Sequence, residues 1–117
     1  MDIQLYVTED DKRPFVTWIK KLKDAKGRGV INARVARLRL DNFGDCKPVG
    51  DGVWELHIDF GPGYRVYYGQ ADKQLVLLLC GGDKDTQNAN ITIAKRYWAD
   101  CKLRVADEKK DSSKGKK

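Results

Sequence analysis

The sequence predicts an α+β domain with the element order β-α-α-β-β-β-α. Three observations predict it. Residues 2–8 alternate apolar and polar, as a half-buried strand does. Phe15, Trp18, Ile19 and Leu22 then recur at the spacing of one helical face. GVWELHIDFGPGYRVYY, residues 52–68, reads as two alternating strands folded back at Gly61-Pro62-Gly63, and LVLLLC follows as a third. Helices packed on a mainly antiparallel sheet satisfy all three.

In chain order, Ile3, Leu5 and Val7 point one way in the first strand and Gln4 and Tyr6 the other. Thr8-Glu9-Asp10-Asp11 supplies capping and first-turn acids for a helix, with Pro14 at an early position. Gly27 and Gly29 are expected to break that helix. A second helix is expected over about Val30 to Asn42, with Ile31, Val35 and Leu38 as its stripe. Together they form an N-terminal helical hairpin. Arg34 and Arg37 lie one turn apart, with Arg28 and Arg39 near. Either a solvated helix face or a polyanion-binding one fits them.

DNFGDCKPVGDG, residues 41–52, reads as a loop because of its proline and glycines. Strands are expected over 53–60, 64–70 and 74–80, the last two joined by a turn at Gln70-Ala71-Asp72-Lys73. LVLLLC does not alternate, so that strand is expected to be central and covered on both faces. The loop Gly81 to Thr86 leads to a last helix with Ile91, Ala94, Trp98 and Cys101 on its buried stripe. Residues 1–104 form one domain on this reading, and 105–117 a basic, polar tail without regular structure.

The chain has 117 residues, 41% hydrophobic and 34% charged, with a formal net charge of +6. That size suits one domain, and the charge favours polyanionic partners. Cys46, Cys80 and Cys101 are odd in number and widely spaced, and there is one histidine. Neither a disulfide framework nor a zinc site is expected from that set, and a reduced cytoplasmic protein without metal or cofactor is. Cys80 ends an apolar run and reads as a core residue. The acidic N-terminus carries no signal peptide pattern, and the longest apolar run is too short to cross a membrane.

The hairpin concentrates the chemistry. A three-residue loop pairs Phe60 with Tyr64, Ile58 with Val66 and Leu56 with Tyr68, which keeps every apolar residue on one face. Asp59 then faces Arg65, His57 faces Tyr67, and Glu55 shares their polar face. Two readings meet this pattern. One is ordinary cross-strand pairing on a solvated face. The other is an acid-base and cation site for phosphate. Histidine exchanges protons near neutral pH, and arginine holds phosphate through two donors.

The same stretch, WELHIDFGPGYRVYY, followed by LLLCGGDKDTQNANITIAKRYW, resembles the RelE/ParE toxin superfamily. It is most similar to the HigB-like addiction-module killer proteins of phage and mobile elements. The resemblance covers the chain from the first strand to the last helix. It implies a RelE-like microbial RNase fold. It also implies a type II toxin that cuts mRNA on the ribosome without metal, by attack of the ribose 2′-hydroxyl on its own phosphate. Such cleavage needs a base, an acid and cations. By resemblance Arg65 takes the scissile phosphate, Lys84 contacts the phosphate or leaving group, and Gln87 orients substrate. His57 stands where many relatives carry arginine or lysine, and would act as base or acid. Asn90 stands about where some relatives use a catalytic tyrosine, for which Tyr67 is the stand-in. Glu55, where some relatives carry lysine, would brace Arg65 or the second helix. Arg34 and Arg37 would rest on ribosomal RNA. The implied partners are the ribosome, mRNA and a cognate antitoxin of helix-turn-helix type. A ParE-like gyrase inhibitor, or a catalytically weakened relative that binds antitoxin or RNA, is the alternative.

Overall fold

A computed structural model describes residues 1–72 and 74–115, and the side chains of 1–70 and 74–105. Among these residues the chain forms an α+β domain of three helices and a five-stranded sheet. The elements are β1 (Asp2–Leu5), α1 (Pro14–Lys21), α2 (Ala25–Leu38), β2 (Cys46–Gly50), β3 (Val53–Ile58), β4 (Tyr64–Asp72), β5 (Leu75–Gly82) and α3 (Gln87–Gly115). The sheet order is β1-β5-β4-β3-β2. β1 runs parallel to β5, and every other pair is antiparallel.

The order differs from the expected one by a strand. β2 lies inside the stretch read as a loop. Its Pro48 and Gly50 conceal it, but β2 is an edge strand, where a proline needs no ladder partner. The helices also start elsewhere. Thr8 caps no helix; its hydroxyl accepts from the Lys12 amide in a tight turn, and α1 begins at Pro14 without a side-chain cap. Gly27 and Gly29 do not break a helix. They lie in the first turns of α2, whose N-cap is Asp24, with its carboxylate accepting from the Gly27 amide at 2.9 Å. A side chain at Gly27 would stand 2.5 Å from that carboxylate and 2.8 Å from the Tyr64 ring. The glycine serves close approach there, at a modest helix cost.

The hairpin register is also corrected. Ile58 pairs with Tyr64, Leu56 with Val66 and Trp54 with Tyr68. Asp59 and Phe60 therefore leave the ladder and join a five-residue loop, in which Gly61 and Gly63 both take positive φ. His57 faces Arg65, not Tyr67, and Glu55 faces Tyr67. A slip of two residues keeps the side chains within the ladder on their expected faces, so the apolar pattern alone does not detect it. Lys73 of the expected β4–β5 turn lies outside the described residues. The helical backbone of α3 passes Arg104 and continues to Gly115, through residues expected to form a tail. Ala, Glu and Lys there extend a helix already nucleated by packing.

The sheet is covered on both faces. Ile31, Leu38 and Phe15 from α1 and α2 pack on Leu56, Ile58, Val66 and Leu78. Ala94 and Trp98 from α3 pack on Val53, Tyr67, Leu77 and Leu79. β5 is buried almost throughout, as expected of a central strand. Each covering layer seats a tryptophan on a glycine. A Cβ at Gly81 would lie 2.3 Å from the Trp18 ring, and one at Gly69 2.3 Å from the Trp98 ring. A polar clasp ties α3 to the residue that follows β1: Tyr6 donates to Asp100 at 2.5 Å, and Asp100 pairs with Arg104 at 2.9 Å.

Two outcomes are expected. Gly69→Ala and Gly81→Ala each destabilise by about 1–3 kcal/mol through overpacking, read as a lower urea midpoint at unchanged slope. The Gly27 amide, then the Tyr64 hydroxyl, hold the Asp24 carboxyl below its ordinary range. Its folded value lies under its unfolded one, so this stability is present above about pH 4 and is lost as the pH falls further. Asp24→Ala therefore flattens the acid arm of the unfolding midpoint against pH.

Candidate functional site

The polar face of β3 and β4 is built on a buried carboxylate. Glu55 is 1% exposed, and glutamate is seldom buried without partners. Its Oε2 accepts from the Tyr67 hydroxyl at 3.0 Å and from Gln87 Nε2 at 2.9 Å. Its Oε1 lies 3.7 Å from Arg65 Nε and 3.8 Å from Lys47 Nζ. One side chain thus joins β2, β3, β4 and the first residue of α3.

Arg65 is aimed by this arrangement. Its Nη1 donates to the Gly63 carbonyl at 2.7 Å, across the hairpin loop. Its Nε is buried and has no hydrogen-bond partner among the described residues, so Glu55 holds it by charge. Lys84, which is exposed, reaches the same corner. A Cβ at Gly63 would stand 3.3 Å from Arg65 Nη1 and 3.7 Å from Lys84 Cβ.

His57 lies across the ladder from Arg65. Its Nδ1 is 2.7 Å from the Asp45 carboxylate, and its backbone amide donates to the Asp45 carbonyl at 2.9 Å. A carboxylate on Nδ1 favours the tautomer with its proton there and leaves Nε2 free to accept one. His57 keeps 35% of its side-chain surface exposed.

The remaining expected residues divide. Gln87 is in the site, but its amide is committed to Glu55. Tyr67 was expected beside substrate and is fully buried. Burial, then the hydrogen bond and charge of Glu55, push its hydroxyl far up, so it stays a protonated donor and cannot act as a base. Asn90 donates to Thr86 Oγ1 at 2.6 Å and packs against Gly82, where no Cβ fits. Asp83 folds the loop ahead of α3 by accepting from the Asp85 and Thr86 amides. Arg34 and Arg37 lie on α2, against the opposite sheet face. Arg34 donates to the carbonyls of Phe43 and His57, and Arg37 is exposed beside Ile58 and Asp59. They are not brought together with the His57 and Arg65 side chains. Asp45 and Lys47 were missed because both lie in the stretch read as a loop. The signal was present: once β2 is drawn, Lys47 falls opposite Glu55.

Cys80 is buried, and burial pushes its thiol up to about 12, which leaves it unreactive. Among the described residues no cluster of three or more His, Cys, Asp or Glu is placed to hold a metal ion, and no helix is long and apolar enough to cross a membrane.

Tyr67→Phe takes one of two hydrogen bonds from the buried carboxylate and is expected to cost about 1–3 kcal/mol. Urea unfolding measures it; a loss under a few tenths would mean that Glu55 is not held through this hydroxyl.

No protein-family model matches the chain, and no solved structure matches it. An uncharacterized protein of Haemophilus influenzae is 53% identical over 81 residues, which span 69% of this chain and 82% of that protein. At that identity and coverage, the chain belongs to the family of the Haemophilus influenzae protein.

Proposed function

We propose that the protein is the toxin of a type II toxin-antitoxin module, a ribosome-dependent mRNA endonuclease that works in the cytoplasm without metal. One observation carries this reading. His57, tied through Nδ1 to Asp45, is paired across the ladder with Arg65, whose guanidinium is braced by Glu55 and flanked by Lys84 at the hairpin loop. A base beside two cations is what cleavage by an internal hydroxyl requires.

In this mechanism His57 Nε2 takes the proton of the ribose 2′-hydroxyl. The 2′-oxygen attacks phosphorus, the bond to the 5′-oxygen breaks, and a 2′,3′-cyclic phosphate forms. The 5′-oxygen takes a proton from Lys84 or from water. Arg65 and Lys84 balance the charge that builds on the phosphoryl oxygens. Tyr67 has no part in it, since its hydroxyl is buried on Glu55. The RelE-like resemblance of the hairpin and the GGDKDTQ loop supports the same assignment, and with it a cognate antitoxin of helix-turn-helix type.

The purified protein, added to ribosomes programmed with a short mRNA, is expected to cut it in the decoding site. Arg65→Ala is expected to lower the rate about 100-fold or more, and His57→Ala about 100-fold. RNA left intact by the wild type would remove the endonuclease reading and turn attention to gyrase supercoiling.

A further inference from the structure

We propose that Lys47, on the edge strand β2, is a second phosphate-binding cation of the site, and that the substrate is a single-stranded RNA held through a phosphate beside the scissile one. The second part rests on the endonuclease reading; the first stands on geometry.

Glu55 is the starting point. Its Oε2 is satisfied by two neutral donors at hydrogen-bond distance. Its Oε1 has two cations, Arg65 Nε and Lys47 Nζ, at 3.7 and 3.8 Å. Both lie beyond a direct hydrogen bond, so charge alone holds them there. One negative charge answers two positive ones, and Lys84 beside them has no ion pair among the described residues. Lys47 and Lys84 thus present exposed ammonium groups that an incoming polyanion can use.

The two cations differ in freedom. Arg65 is 11% exposed and fixed by the Gly63 carbonyl. Lys47 is 64% exposed, on a flexible four-carbon stem with three donors. The lysine end of the pair is open to solvent, and when it swings away Glu55 keeps its two hydrogen bonds and Arg65, so Lys47 is free to move to a better anion. Lys47 therefore leaves Glu55 for a phosphate, while Arg65 keeps its brace. Placement sets the direction of the bound chain. Lys47 comes from β2, Arg65 from β4 and Lys84 from the loop after β5, so the three cations lie across the strands. A strand of RNA crossing the sheet meets them in succession. Lys95 of α3, close to Gly50 at the end of β2, is paired with Asp51 instead.

The test uses the full chain and a fluorescein-labelled single-stranded RNA with 2′-O-methyl riboses, which binds without being cut. Anisotropy titrations over a salt series compare wild type, Lys47→Ala, Lys47→Arg and Lys84→Ala, with circular dichroism and urea unfolding checking each fold. Lys47→Ala is expected to weaken binding about tenfold at low salt and to reduce the slope of log affinity against log salt by about 0.7. Lys47→Arg is expected to restore both. On programmed ribosomes, Lys47→Ala is expected to raise KM and leave kcat unchanged. Affinity and slope equal to wild type in Lys47→Ala would overturn the proposal, as would a wild type that does not bind the RNA. The two readings fail separately. A wild type that cuts mRNA beside an unaffected Lys47→Ala removes only Lys47. A wild type that cuts nothing, with binding still lost in Lys47→Ala, removes the nuclease and leaves the phosphate cation.

Discussion

A carboxylate inside a sheet must be answered by donors, because burying it alone carries a large desolvation penalty. Glu55 is answered by four side chains from three elements, Lys47 of β2, Arg65 and Tyr67 of β4, and Gln87 of α3. The edge strand, the two hairpin strands and the start of the last helix are thereby referred to one point. The functional corner inherits its rigidity from this. Arg65 is aimed because its Nε faces Glu55 while its Nη1 reaches the loop carbonyl. The start of α3, and so the loop that presents Lys84, is fixed because Gln87 closes on the same carboxylate.

The apolar architecture leaves that corner open. α1 and α2 cover one face of the sheet, and α3 covers the other with a stripe centred on Ala94 and Trp98. The contacts of Trp18 on Gly81 and Trp98 on Gly69 bring the layers close at the middle of the sheet. The hairpin loop end is left to polar side chains. Hydrophobic burial thus decides where the layers sit, and hydrogen bonding to a single buried anion decides what the uncovered end presents.

Much of this was legible in the residues. The alternation assigned the ladder residues 53–58 and 64–68 to their correct faces, and the unbroken run LVLLLC identified an inner strand covered on both faces. What failed has physical causes. Pro48 and the flanking glycines hid β2, because turn chemistry and edge-strand chemistry draw on the same residues. With it went Asp45 and Lys47, the carboxylate on His57 and the outer cation on Glu55. The two-residue slip of the hairpin preserved parity, so hydrophobicity could not see it. It changed the neighbour of His57 from tyrosine to arginine, and that distinction matters more to chemistry than to stability. Gly27 and Gly29 misled in the opposite sense, read as breakers where Gly27 gives Tyr64 and Asp24 room to meet.

β1 has a consequence of its own. It pairs in parallel with β5, Asp2 beside Leu75, and among the described residues its one neighbour in the sheet is β5, the last of the five strands. Of the five described strands, the first in sequence is therefore the last to find its place during synthesis. Contacts so distant in sequence are slow to form, and the unpaired segment waits exposed while the rest is synthesised. The polar corner waits too, since Lys84 and Gln87 follow β5. Sheet and corner therefore close together, once β5 and the start of α3 have been made.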